Sequence, residues 1–352
     1  MEQKNLRINE DLDCIWKVDF IPWELLRRKT IFITGATGLI GSSLIWTLAV
    51  CDEKLGLGIR LIALVRDEIR ANDVFRELID QGRLLLITGN VENLPEIQES
   101  VDYIIHGASQ TASKAFTQHP AETIRTSVLG TMNLLNVAKE KSVQGFVYLS
   151  SMEVYGYPER GHKVKEEEIG VLSPLDLRNS YPIGKQLCEA MCCAYAAEYG
   201  VSAKIARLTQ TFGPGVNYTD SRVFAYFARC VMEKQDIVLK TKGETERCYL
   251  YIADAITAIL LILLKGQKGQ AYNVANDNTY CSIKEMAEKV AADGKIQVKY
   301  EIEDEANEGF LKTLYMDLDT TRLKQLGWRS NKTISIDEMY RRMIVSFRIN
   351  SL

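Results

Sequence analysis

Six short apolar runs, near residues 30–34, 60–66, 83–88, 101–105, 144–150 and 202–208, punctuate the first two hundred residues. Runs of this length, rich in Val, Ile and Leu, read as strands. Between them, apolar positions recur at helical spacing near 39–51, 121–142 and 181–199. Strand and helix in alternation predict an α/β fold built on a doubly wound parallel sheet. Past about residue 210 the pattern becomes mixed, which predicts a smaller mixed α/β lobe on the substrate side. The apolar stretch from Ala255 to Leu264 is too short to span a bilayer and reads as a buried helix. The resulting division is an N-terminal extension over 1–29, a nucleotide-binding unit over 30–210 and a mainly substrate-facing lobe over 211–352, part of which returns to the first unit. Trp16, Phe20, Ile21 and Trp23 predict that the extension packs against the body.

Composition narrows the function without naming it. The 352 residues carry a net charge of −3 with a quarter of positions charged, an ordinary globular balance that gives no footprint for nucleic acid. Residues 1–10 are polar and hold no apolar signal core, so a cytoplasmic location without membrane insertion is expected. Eight cysteines include no Cys-x-x-Cys pair, and Cys188, Cys192 and Cys193 fall on one predicted helix, which points to reduced packing thiols. The three histidines, His106, His119 and His162, lack metal-ligand spacing, and no metal is expected.

Two short strings carry the chemistry. The first, Thr34-Gly35-Ala36-Thr37-Gly38-Leu39-Ile40-Gly41, follows the apolar run Thr30-Ile31-Phe32-Ile33 and opens a helical stretch. Strand, tight turn and helix in that order seat a pyrophosphate on a helix N-terminus, with glycines letting the backbone approach the phosphates. The second, Tyr181-Pro182-Ile183-Gly184-Lys185, places a phenol and an ammonium one helical turn apart on one face. The ammonium is expected to lower the phenol pKa, so that Tyr181 exchanges a proton with a sugar hydroxyl while hydride moves to or from a nicotinamide. Between the strings, Val101-Asp102-Tyr103-Ile104-Ile105 leads into His106-Gly107-Ala108-Ser109-Gln110, a strand ending in small residues that leave room for a cofactor. Gln110 has two open readings, facing substrate or capping a turn.

These residues resemble the extended short-chain dehydrogenase/reductase family, in its nucleotide-sugar epimerase and dehydratase branch, over nearly the whole chain. Phe146-Val147-Tyr148-Leu149-Ser150-Ser151, Ala206-Arg207-Leu208, Phe212-Gly213-Pro214-Gly215 and Ala271-Tyr272-Asn273-Val274-Ala275-Asn276 extend the likeness. The resemblance implies a Rossmann-type fold, a nucleotide-activated sugar as substrate, a homodimer through the 121–142 and 181–199 helices, and a place in capsule or cell-surface glycan precursor synthesis. It also implies that Ser151 hydrogen-bonds the reacting sugar oxygen, with Ser150 as the fallback. Sugar 4,6-dehydratases of this branch carry an aspartate and a glutamate after that hydroxyl. Here the pair is Met152-Glu153, and methionine cannot act as an acid, which disfavours 4,6-dehydration. Glu153 remains, as in enzymes similar to UDP-glucuronate decarboxylase, with a catalytic and a structural reading both open.

The cofactor turns on Leu61-Ile62-Ala63-Leu64-Val65-Arg66-Asp67, where an arginine at the strand tip suits a 2′-phosphate and an acid suits a ribose hydroxyl. Arg66 holds the tip, so NADP is expected over NAD, while a one-residue shift would bring Asp67 into the NAD-type position. Gly35, Thr37, Gly38, Leu39, Ile40, Gly41, Arg66, Ala108, Tyr181 and Lys185 are the expected cofactor contacts, joined by Val91 and by Asn90, which stands where relatives often carry an aspartate near the adenine. On the substrate side, Arg178-Asn179-Ser180-Tyr181 and Gly213-Pro214-Gly215-Val216-Asn217 look like the decarboxylase group. Arg222 and Arg247 are candidate diphosphate clamps, because a guanidinium grips two phosphate oxygens at once. Gln110 and Gln210 complete the set, Gln210 standing where relatives carry asparagine. The paired arginines of many relatives near 305–316 are missing from this sequence. Epimerisation through a transient keto sugar is the leading expectation, followed by reduction of a nucleotide-linked keto sugar by NADPH and then hexuronate decarboxylation. A cofactor-sensing protein on the same fold is the non-enzymatic alternative.

Overall fold

The computed structural model describes residues 11–12, 14–110, 113–302 and 313–350. Seven strands form one sheet, every neighbouring pair parallel: β1 (Thr30–Thr34), β2 (Arg60–Val65), β3 (Leu84–Thr88), β4 (Tyr103–His106), β5 (Gly145–Ser151), β6 (Ala203–Leu208) and β7 (Ala271–Val274). Their spatial order is β7-β6-β5-β4-β1-β2-β3. Strand order therefore reverses between β1 and β4, and ligands of open α/β sheets bind in the crevice at such a switch point. This is the Rossmann-type arrangement.

The sheet is parallel because both of its faces are covered. Along β1, Ile31 and Ile33 join one apolar core while Phe32 joins the other, the period-2 alternation of a strand. Helices α1 (Leu39–Leu55), α2 (Glu68–Asp80) and α5 (Ile252–Lys265) cover the first face, through residues such as Leu44, Leu48, Phe75, Ile256 and Leu260. Helices α3 (Pro120–Glu140) and α4 (Ser180–Glu198) cover the second, through Leu134, Leu135, Cys188 and Cys192.

Two differences from the sequence reading have plain causes. Helix α1 runs four residues past the expected end at 51, because its stop signal is Gly56 in the left-handed conformation at φ 61°. Helix α2 was not expected at all. Its signal is Asp67, whose carboxylate caps the Arg70 N–H at 2.9 Å, followed by buried Ala71, Phe75 and Leu78 at helical spacing.

The lobe contains a four-stranded mixed sheet, one strand of which, Lys163–Val164, comes from before residue 210, and two two-stranded parallel sheets. It shares a continuous apolar core with the body, since Phe212, Phe224, Trp328 and Ile344 join the cluster that holds Ile31 and Leu44. Ile21, Trp23 and Leu26 of the N-terminal extension enter the same core. Asp11 ties that extension to the final helix by accepting Arg342 Nη1 at 2.6 Å. All eight cysteines are free, Cys14 and Cys193 being exposed. Among the described residues no helix is long and apolar enough to cross a membrane, and none of their His, Cys, Asp and Glu side chains group as a metal site.

Candidate active site

The β1–α1 turn is shaped by backbone contact. Gly35 has φ +70°, and a Cβ there would lie 2.7 Å from the Gly107 carbonyl carbon, so only glycine lets the turn press against the end of β4. A Cβ on Gly41 would lie 2.2 Å from the Gly35 oxygen. Gly38 is the N-cap of α1 and supplies no side-chain cap, which leaves the first N–H groups of a 17-residue helix directed at the crevice. A bare backbone and an uncapped helix N-terminus fit the pyrophosphate of a dinucleotide. Thr34 Oγ1 braces the turn, accepting Ala108 N–H at 3.2 Å and hydrogen-bonding His106 Nδ1 at 2.8 Å. Burial and the Lys185 charge lower the His106 pKa to about 3, so this imidazole is neutral and structural.

At the tip of β2, Arg66 is exposed, whereas Asp67 is spent on the α2 cap. Arg70 Nη2 donates to Thr37 O at 3.4 Å, which brings a second guanidinium to the glycine turn. Leu39 and Ile40 are half-buried on the first turn of α1. Asn90 Oδ1 accepts Asn93 N–H at 2.7 Å in its own turn, and Val91 is buried against Gly130 of α3.

Ser151, Tyr181 and Lys185 meet beside this turn. Lys185 Nζ donates to Leu149 O at 2.7 Å and lies 4.6 Å from the Tyr148 ring centre and 5.6 Å from that of Tyr181. The Leu149 side chain in turn packs on Gly107, next to Gly35. Burial lowers the Lys185 pKa to about 8. Ser151, half-buried at the end of β5, hydrogen-bonds the Tyr181 phenol, and its Oγ accepts Glu153 N–H at 3.2 Å. On the pleat Ser150 points the other way and donates to Glu189 Oε1 at 2.5 Å.

One expectation is reversed. The Tyr181 pKa is raised, first by burial and then by the Glu153 charge, while Ser151, Arg178 and Arg222 pull it down. The Lys185 ammonium is turned to the Leu149 carbonyl and does not offset the loss of water.

Glu153 and residue 152 diverge. Met152 is buried with Val154, Cys248 and Met316 in the lobe core, away from any acid role. Glu153 Oε2 accepts Arg178 Nη2 at 3.0 Å. Arg178 lies 4.8 Å from the Phe116 ring centre, and Phe116 stacks on Tyr181 at 4.4 Å with a 5° interplanar angle. Phe116 and Arg178 are site residues absent from the expected list. Arg178 stands in a string the sequence did single out, whereas nothing local marks Phe116.

Of the substrate-side residues, Gln210 and Arg247 come together, Nη1 to Oε1 at 3.4 Å, and Arg247 Nε is buried without a partner among the described residues. Arg222 is taken by Asp220, Nη2 to Oδ2 at 2.5 Å, which competes with the expected phosphate grip. Gln110 is exposed in the loop after β4. The stretch 303–312, which covers most of the segment lacking the expected arginines, lies outside the described residues.

Residues 31–275 match the model of the NAD dependent epimerase/dehydratase family. A UDP-glucuronic acid decarboxylase 1 from Xenopus tropicalis is 30% identical over 284 residues, which cover 79% of this chain and 64% of the frog protein. The chain thus spans under two thirds of that relative's length. Among solved structures, UDP-glucose 4-epimerase from Thermotoga maritima, determined with UDP-glucose, shares the fold with a TM-score of 0.75 at 20% identity, over 92% of this chain and 100% of that one. UDP-glucuronic acid 4-epimerase from Bacillus cereus, determined with NAD, does so with a TM-score of 0.73 at 19% identity, over 91% and 98%. With the match covering well over half of its length, the chain belongs to the NAD dependent epimerase/dehydratase family, the nucleotide-sugar branch of the extended short-chain dehydrogenases/reductases.

Proposed function

We propose that the chain interconverts a carbinol and a keto group on a nucleotide-activated sugar, with epimerisation through a transient keto sugar as its net reaction. The observation that supports this most is the gathering of Ser151, Tyr181 and Lys185 beside the glycine turn, with no acid at position 152. A nicotinamide ring bound there supplies the hydride acceptor and donor. In its ionised form Tyr181 would take the hydroxyl proton on oxidation of the carbinol and return it on reduction at the other face, the raised pKa leaving that form scarce at neutral pH. Ser151 holds the reacting oxygen, and Lys185 holds its ammonium near the phenol ring. The turn Gly35-Ala36-Thr37-Gly38 with Leu39, Ile40 and Gly41, together with Asn90, Val91 and Ala108, receives the dinucleotide. Gln110, Gln210, Arg222 and Arg247 face the nucleotide sugar.

NADP is the proposed dinucleotide, because Asp67 is committed to the α2 cap while Arg66 and Arg70 stand near the ribose end of the turn. A second reading, decarboxylation of a nucleotide-linked hexuronate, draws support from Glu153 held by Arg178 and from the decarboxylase relatives. Net reduction by NADPH draws support from the raised Tyr181 pKa, since a protonated phenol is the form that donates to a carbonyl oxygen. A homodimer is proposed through α3 and α4, which expose Ile124, Met132 and Leu187.

One experiment separates these reactions. UDP-glucose, UDP-N-acetylglucosamine and UDP-glucuronate are each incubated with NAD, NADP or NADPH, as are their 4-keto derivatives, and products are read by NMR and mass spectrometry. An epimer of unchanged mass is expected. Loss of carbon dioxide would install the decarboxylase reading, and gain of two hydrogens the reductase.

Two further outcomes follow from the site. Ser151→Ala lowers kcat on the order of 100-fold, with the dinucleotide Kd retained in a binding titration. In the reductive direction, kcat falls as the pH rises through about 8, where the Lys185 ammonium gives up its proton while the Tyr181 phenol still keeps its own. A flat pH profile across that range removes Lys185 from the account.

A further inference from the structure

Behind the site lies a buried ion pair. Glu189 sits one helical turn beyond Lys185 on α4, and Arg207 on β6 stands beside Ser150 in the parallel register. Glu189 Oε1 accepts Ser150 Oγ–H at 2.5 Å and Arg207 Nε–H at 3.0 Å, and Oε2 accepts Arg207 Nη2–H at 2.6 Å. The other arm of the guanidinium donates from Nη1 to the Tyr155 hydroxyl at 2.8 Å and to Glu166 O at 2.6 Å. The Tyr155 hydroxyl in turn donates to Asn273 Oδ1 at 2.5 Å. The charged side chains are only 8% and 6% exposed.

Stability alone is a poor reason for such a pair, because well-packed apolar residues in its place are often neutral or stabilising. What it joins is informative. Ser150 adjoins Ser151, Tyr155 closes the turn that carries Glu153, and Glu189 shares a helix with Tyr181 and Lys185. Three separate stretches of chain that bear the site converge on one carboxylate and one guanidinium.

We propose that Glu189 and Arg207 are positioning residues, clamping the end of β5, the 152–155 turn and α4 in one register so that Ser151, Glu153 and Tyr181 meet. Neither touches the reacting atoms. The proposal rests on the reading of Ser151 and Tyr181 as the proton-transfer site.

The test is the double variant Glu189→Met/Arg207→Met beside each single variant. Each single variant leaves a charge buried alone and loses both thermal midpoint and kcat. The double variant regains the midpoint, yet its kcat stays about 10- to 100-fold low while the dinucleotide Kd holds within about twofold, as misplacement of reacting groups predicts. Hydrogen exchange, which needs no substrate, is faster than in wild type over 150–156 and 178–186 and unchanged in the rest of the sheet. Return of kcat together with the midpoint, or wild-type exchange in those two stretches, overturns the proposal. Should the double variant fail to fold, Ser150→Ala and Tyr155→Phe, which each remove one hydroxyl, decide it by the same exchange and kcat readouts. If wild-type protein turns over no nucleotide sugar, the functional reading fails, and hydrogen exchange still decides the clamp.

Discussion

Tyr181→Phe lowers kcat by about 10²- to 10⁴-fold, the range that a positioned general acid or base contributes, and leaves dinucleotide binding nearly unchanged. The change removes one oxygen from a side chain that is 7% exposed and whose ring is stacked on Phe116, so the packing that orders α4 is retained. Three neighbouring described groups are otherwise engaged. His106 is neutral and hydrogen-bonded to Thr34 and Thr131, Lys185 is directed at a backbone carbonyl, and Glu153 is paired with Arg178. Steady-state kinetics with a dinucleotide titration check both halves. A variant that keeps wild-type kcat would move the acid/base role to another group.

Gly35→Ala abolishes dinucleotide binding at working concentrations. The φ of +70° costs a residue with a Cβ about 1–2 kcal/mol, and the added carbon overlaps the Gly107 carbonyl at 2.7 Å. Both contacts are backbone, so no side chain can yield. The turn must lift away from β4, and the N–H groups of α1 then lose their aim at the phosphates. Hydrogen bonds to charged groups are worth about 1.5–3 kcal/mol each, so losing two of them weakens binding by at least about 100-fold. Isothermal titration and a thermal melt measure the two effects. Wild-type affinity in Gly35→Ala would remove the turn from the binding site.

The sequence revealed what is local and periodic. The glycine string lies within one strand–turn–helix unit and the Tyr181–Lys185 string within one helix, where glycine spacing and a one-turn offset speak for themselves, and the parallel sheet follows from the alternation around them. Helix α2 went unseen because its buried face is only Ala71, Phe75 and Leu78 amid charged residues, although the Asp67 cap was there to be read. Ser150 and Ser151 are equivalent in a list of residues and opposite on a pleat. The direction of the Tyr181 pKa depends on water excluded by Phe116, a residue 65 positions away in the chain. The Glu189–Arg207 clamp needs α4 packed on β6, a contact no local pattern encodes.

On the function proposed above, the chain moves hydride between a nicotinamide and a sugar carbon, with Tyr181 handling the proton. The most direct test is absorbance and fluorescence of reduced nicotinamide, followed while wild type and Tyr181→Phe are mixed with NAD, NADP or NADPH and a panel of nucleotide sugars and their keto derivatives. A reduced-nicotinamide signal that forms or decays in wild type, and stays flat in a Tyr181→Phe protein that still binds the dinucleotide, is the predicted result. Tight dinucleotide binding with no redox signal from wild type on any substrate, in either direction, would contradict the account and leave a cofactor-sensing protein in its place.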